Sequence, residues 1–219
     1  PYTPEAYELC KRLEFKNMLN RFDPATTADS SMELEFFTCN DLSGVEALFE
    51  KASAQGNSYA KYSLAKMHLA GQTSVSDEHK AIRLLKESAE RSNMWAQYLL
   101  GKFFFRGEHT EKNLAEAERL LMASALQKNS QAQYLLARLY LCEDGIPKDA
   151  EKALHWLNES AAQKNQYAQY QLGKIYLEED TKNIPVAIQY LTLAAKQKNQ
   201  FAAYIHRRKK LRLRRSFHK

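Results

Sequence analysis

Glycine and proline are scarce, at seven and five among 219 residues. So few turn-forming residues argue against a loop-rich or all-β protein. Three cysteines (Cys10, Cys39, Cys142) are scattered, with no CxxC and no histidine nearby at zinc spacing. That excludes a disulfide framework or a structural zinc site and points to a reducing compartment, with the cytoplasm as the expectation. No apolar run approaches the roughly 20 residues needed to cross a bilayer. HExxH and GxSxG are absent. The six histidines share no spacing that converges two of them on a metal. No catalytic residue, metal or cofactor is expected, nor a small-molecule substrate. The chain begins at Pro1 rather than Met, so the sequence leaves any leader open.

What is present is a chain 44% hydrophobic, enough for a packed interior. Its net charge of +6 is unevenly placed. Residues 206–219 hold eight Lys/Arg and no acid, which leaves 24 Lys/Arg against 26 Asp/Glu, a net of −2, for 1–205. The basic character belongs to the tail, not the body.

Self-similarity organises the rest. "NSYAKYSLAKMHL" from Asn57 aligns with "NMWAQYLLGKFFF" from Asn93, "NSQAQYLLARLYL" from Asn129 and "NQYAQYQLGKIYL" from Asn165. These asparagines fall 36 residues apart, and Asn199 follows after 34. Second halves align as well, through Ala81, Ala117, Ala153 and Ala187 and the pairs Leu84–Leu85, Leu120–Leu121, Trp156–Leu157 and Tyr190–Leu191. Each half has the apolar period of one helix: Ala132, Leu136 and Leu139 form one stripe, Tyr134, Ala137 and Leu141 a second that widens the buried face. A small residue at one fixed position (Ala65, Gly101, Ala137, Gly173) suits a close helix crossing, since glycine inside a helix otherwise costs about 1 kcal/mol against alanine.

Asp77, Asn113, Asp149 and Asn183 precede the second helices as cap residues. Asn113 and Glu116 have capping-box spacing. Gly56–Asn57, Lys128–Asn129 and Lys164–Asn165 mark the passage into each first helix, where a glycine or asparagine tolerates the left-handed conformation. The same register makes Asp41 a cap. Four regions follow: a non-repeat N-terminal helix (1–23), a linker (24–40), a repeat region of a half unit, four units and the start of a fifth (41–205), and a basic tail (206–219). A helix pair buries too little alone, so stacking predicts an all-α, right-handed superhelical solenoid of antiparallel helix pairs. All seven glycines are used in turns or crossings, which leaves none for a phosphate-cradling loop.

The unit resembles the Sel1-like (Sel-one-like) repeat, a relative of the tetratricopeptide repeat, most closely from Ala132 through Asn165 with Tyr140, Asp149, Trp156 and Ala161–Ala162. The resemblance implies a superhelix whose concave face binds other proteins as a scaffold or adaptor. The usual glycine before asparagine is replaced by Ser92, Lys128, Lys164 and Lys198, and the fourth unit is two residues short. "EAYELCKRLEFKNMLNRFD" is similar to a bacterial family A DNA polymerase segment near the end of the 5′-nuclease region, over about twenty residues with no catalytic position. The repeat wording "AQYLLGKLYL" resembles that of repeats appended to plasmid-mobilisation relaxases.

Two partner surfaces are expected. The positions two, six, nine and thirteen after each asparagine are the least used for packing. They align Lys66, Lys102, Arg138 and Lys174 in a basic ladder beside an aromatic column of Tyr59, Trp95 and Tyr167. Aromatic anchors with cations suit a protein or peptide laid along the groove. The alternative is an accessory region of a DNA-processing or plasmid-mobilisation protein, with Arg207, Arg208, Lys209, Lys210, Arg212, Arg214 and Arg215 of the tail contacting nucleic-acid phosphates. A solvated end that stops the array also accounts for the tail, because its charges replace core positions and cannot be buried. The helix is expected to leave the stack after about Tyr204.

Overall fold

A computed structural model of the chain describes residues 42–142, 147–178, 182–205 and 207. The chain divides into two compact units, Pro1–Val45 and Glu46–Lys219. Of the first, only 42–45 are described, as the opening residues of a helix. The expected helix 1–23, the linker 24–40 and the cap Asp41 lie outside the described residues.

Helices α1 (Leu42–Ala54), α2 (Ser58–Leu69), α3 (Glu78–Glu90), α4 (Met94–Arg106), α5 (Leu114–Leu126), α6 (Ser130–Leu141), α7 (Ala150–Ala162), α8 (Gln166–Ile175) and α9 (Ile184–Lys196) follow one another. The chain is helical again over 200–205, and no strand occurs among the described residues. Even-numbered helices are the first helices of the repeat and odd-numbered ones the second. From α2 onward each packs on its neighbours in sequence, and α4 also touches α6. The solenoid of helix pairs is what the repeat region builds.

Equivalent side chains sit in equivalent places. Ala96, Ala132, Ala168 and Ala202 are all 0% exposed, as are Leu85, Leu121, Leu157 and Leu191 on the facing second helices. A fully buried leucine contributes about 1.5–3 kcal/mol, so this facing column is a main source of cohesion. The fixed small residue is sterically required where it is glycine. A Cβ on Gly101 would lie 2.9 Å from Leu121 Cγ, and one on Gly173 would lie 2.7 Å from Leu191 Cγ.

Passage from a second helix to the next first helix uses one geometry. Ser92 N–H donates to Ala89 O at 3.0 Å and Asn93 N–H to Ser88 O at 3.2 Å, the paired bonds of a Schellman end. The residue before asparagine takes the left-handed conformation every time: φ is 85° at Gly56, 59° at Ser92, 64° at Lys128 and Lys164, and 67° at Lys198. The asparagine does not share it. Asn93 is extended (φ −69°), and its Oδ1 accepts from Trp95 N and Ala96 N at 3.0 and 3.1 Å. It thus closes one helix through its backbone and opens the next through its side chain.

The cap column ahead of the second helices forms as expected: Asp77, Asn113, Asp149 and Asn183 accept from the N–H groups of Lys80, Glu116, Lys152 and Val186. The capping box at Asn113 is only half made. Glu116 turns to Arg119 (2.8 Å), and Asn113 N–H donates instead to Phe104 O at 2.9 Å. This bond has counterparts from Asp149 N to Tyr140 O (3.1 Å) and from Asn183 N to Tyr176 O (2.9 Å). The fourth unit's two missing residues therefore fall inside that loop and leave its closing bond intact.

Two buried polar columns stitch the helices together. Ser88, Ser124 and Ser160, each 0% exposed, donate to the carbonyls of Ser58, Met94 and Ser130 at the start of the first helix of the same unit at 2.6, 2.7 and 2.6 Å. Buried Gln97, Gln133 and Gln169 donate to Ala89, Ala125 and Ala161 O and accept from Gln127, Gln163 and Gln197, each at 2.8 Å. Where the first unit has Lys61 in place of glutamine, that lysine pairs with Glu87.

Candidate functional site

The asparagine caps set the rotation of every first helix, because they bond the N–H groups of the second and third residues that follow. With the third residue, an alanine, driven into the core, the second, fifth and ninth are left on the opposite side. The second position holds Tyr59, Trp95, Gln131, Tyr167 and Phe201. Tyr59 and Tyr167 are 53% and 55% exposed, Phe201 is 72% exposed and Trp95 is half-buried. At the ninth, Lys66 and Lys174 are exposed, while Lys102 and Arg138 are half-buried. The expected aromatic column and basic ladder thus share one face of the first helices.

The sixth position does not belong with them throughout. Leu135 is only 5% exposed and sits in the core, and Leu99 packs against a core cluster shared between its own unit and the one before. First helices lean on each other sideways as well as on second helices, and an apolar residue at that seam is covered.

The fifth position is what sequence reasoning assigned to the core stripe and missed as part of this face. It is tyrosine in each unit: Tyr62, Tyr98, Tyr134 and Tyr170 are half-buried, and Tyr204 is exposed. The ring of Tyr134 lies 5.8 Å from that of Tyr167 in the next unit, and Tyr170 lies 6.2 Å from Phe201. In these two pairs a fifth-position ring meets the second-position ring one unit on. Arg138 stands over Tyr134 (5.9 Å) and over Phe105 of the preceding unit (5.6 Å), and Lys66 stands over Tyr62 (5.7 Å). The signal was present in the unbroken tyrosine at one register position, since a purely structural stripe tolerates leucine or phenylalanine there.

Burial pushes the hydroxyls of Tyr62 and Tyr98 above the usual phenol range. Tyr134 is raised by burial too, against the opposing pull of Arg138. All three stay protonated at neutral pH and keep a hydrogen to donate. The face offers aromatic surface, hydroxyl donors and cations.

Among the described residues no group of three His, Cys, Asp or Glu side chains converges as a metal site requires. No described helix is long and apolar enough to cross a membrane. In the tail, Arg207 is helical and exposed. Arg208, Lys209, Lys210, Arg212, Arg214 and Arg215 lie outside the described residues.

Comparison with known proteins agrees with this architecture. The Sel1 repeat model matches residues 46–57, 58–93, 96–129, 130–165 and 166–199. No curated protein matches the chain. Among solved structures, a protective antigen of uropathogenic Escherichia coli strains, described as displaying an SLR fold, is 30% identical with a TM-score of 0.69. That similarity covers 76% of this chain and 36% of the antigen, so the chain spans little more than a third of that relative. A Sel1 repeat protein from Oxalobacter formigenes is 24% identical over 75% of this chain and 68% of its own, also with a TM-score of 0.69. An immunity protein from Pseudomonas aeruginosa shares the fold at 21% identity, a TM-score of 0.53, and 93% and 70% coverage. Sel1 repeats are typically non-catalytic scaffolds for protein partners, and by the match across its repeat units the chain belongs to the Sel1 repeat family.

Proposed function

We propose that the chain is a non-enzymatic interaction module that takes a protein or peptide segment along the exposed face of its first helices. Tyr59, Trp95 and Tyr167 anchor the segment, and Lys66, Lys102, Arg138 and Lys174 hold its polar groups. The observation that carries this reading is the continuity of the face. Rings of adjacent units touch at Tyr134–Tyr167 and Tyr170–Phe201. A partner therefore meets one surface running across several units, and truncating a central aromatic anchor has a large effect.

Selection of a displayed random peptide library on the wild-type chain, followed by titration of the selected peptides, tests the reading. Trp95→Ala combined with Lys102→Ala should weaken their binding at least tenfold while the melting curve stays cooperative. Binding within twofold of wild type, or a selection that yields no peptide, rules the surface out.

A further inference from the structure

The first helices contain no acid. Helices α2, α4, α6 and α8 have neither aspartate nor glutamate, and neither do residues 200–205. Helix physics makes the omission unusual, because the positive N-terminal end of a helix favours a carboxylate in its first turn. Three of the five described second helices follow that preference, with Glu78, Glu116 and Glu151, and α1 and α9 do not, whereas every first helix forgoes it. Of the Lys and Arg on first helices, Lys61 pairs with Glu87 and Arg106 with Glu108, both outside those helices. Lys66, Lys102, Arg138 and Lys174, all at the ninth position, meet no carboxylate among the described residues. The ninth position is thus a single-sign row on a body whose net charge is negative over 1–205.

We infer that the segment held on this face is acidic and extended, with a carboxylate at every third residue. The inference rests on the binding reading above and adds the chemistry and register of the partner. Neighbouring packed helices lie about 10 Å apart, and an extended chain advances about 3.3 Å per residue. Three partner residues therefore span one unit, and a carboxylate at i, i+3, i+6 and i+9 meets the ninth position of four successive units. The residues between them lie over Tyr62, Tyr98, Tyr134 and Tyr170, whose hydroxyls donate to the partner's backbone carbonyls. The chain's own basic tail has the wrong sign to occupy the face, and so does the tail of a second copy.

Fluorescence anisotropy with labelled twelve-residue peptides tests the register. One peptide has glutamates at every third position with tyrosine and serine between, a second clusters the same glutamates at one end, and a third replaces them with glutamine. The spaced peptide should bind at least fivefold tighter than the clustered one and tenfold tighter than the neutral one. Its affinity should fall several-fold between 50 and 300 mM salt. Lys66→Glu with Lys174→Glu, both exposed positions, should remove the preference while the melting temperature is kept. Lys102→Glu with Lys66→Glu provides a second variant should the first fail to fold. Equal binding of spaced and clustered peptides, or equal competition by a single-stranded oligonucleotide of the same charge, overturns the register. If the neutral peptide binds as tightly as the spaced one, the charge inference falls and the binding face survives. If no peptide binds the wild-type chain, both fall.

Discussion

The turn through Arg91, Ser92 and Asn93 and the turn from Gly107 to Asn113 both join two helices of the same array, yet they are built on different terms. The first kind takes three residues at every occurrence between a second and a first helix, with one left-handed residue and the same two closing bonds. The second kind ends its helix in three ways across four units: Ala70 and Tyr176 stay right-handed, Gly107 is left-handed (φ 71°), and Cys142 is extended (ψ 145°). In the three-residue turn, the residue that closes one helix also caps the next. The buried serine and glutamine columns lie within a few residues on either side of it. Nothing there can shift without breaking several bonds at once. In the longer turn the cap residue is remote from the helix end, and only the closing bond from Asn113, Asp149 or Asn183 recurs.

Insertion of Gly-Ser-Gly between Lys128 and Asn129 should break this contrast most severely. It removes the Schellman bonds at Ser124 and Ala125 and displaces the Asn129 cap, for a loss of about 2–4 kcal/mol. The same three residues placed after Glu108 lengthen a loop whose closure cost grows only slowly, and should cost less than about 1 kcal/mol. Urea unfolding followed by circular dichroism measures both. Equal losses at the two sites would show that the short turn is no more constrained than the long one.

Replacing the left-handed lysines sharpens the same comparison with a smaller effect of opposite sign. A left-handed residue with a side chain is strained by roughly 1–2 kcal/mol, part of which glycine returns as unfolded-state entropy. Lys128→Gly and Lys164→Gly should each stabilise the chain by about 0.5–1 kcal/mol, nearly additively because the sites are a unit apart. The reverse change, Gly56→Lys, should destabilise, since a Cβ there also lies 3.1 Å from Arg91 Nη1. Shifts of the urea midpoint at unchanged slope read out all three, and stabilisation absent in both lysine variants would remove strain from the account of these turns.

The repeat was legible because alanine, leucine and asparagine recur at fixed spacing, and spacing survives any misjudgement of single residues. The left-handed position was half legible. Asparagine tolerates that conformation and drew the assignment, while the residue that adopts it is lysine three times, serine once and glycine once. A strain of about one kilocalorie leaves little mark on composition. Ser88 and Gln97 stand in columns as regular as the leucines, but a polar residue on an amphipathic helix reads as solvent-facing until its buried partner on the packed helix is known. Leu135 shows the converse. A face that is free on an isolated helix pair is partly covered once first helices of adjacent units touch. The tyrosines at the fifth position sit on the boundary between those cases, half in the core and half on the binding face.

The smallest expected effect lies in the longer turns, where the cap is aspartate at Asp77 and Asp149 but asparagine at Asn113 and Asn183. The backbone bond from Lys80 holds the Asp77 carboxyl below its usual range, and those from Lys152, backbone and side chain, do the same for Asp149. A carboxyl whose folded value lies below its unfolded value of about 3.9 stabilises the fold above that pH and loses the contribution as pH falls through the folded value. The asparagine caps do not titrate. Between pH 5 and 2.5, protection of the amides against exchange, relative to their intrinsic rates, should therefore fall in the first turns of α3 and α7 ahead of α5 and α9. Asp77→Asn with Asp149→Asn should erase the difference at low pH and leave exchange near neutral pH almost unchanged. Equal loss of protection in all four helices of the wild-type chain would mean that global acid unfolding, not loss of individual caps, governs the array, and the longer turns would then be as tightly coupled to the stack as the short ones.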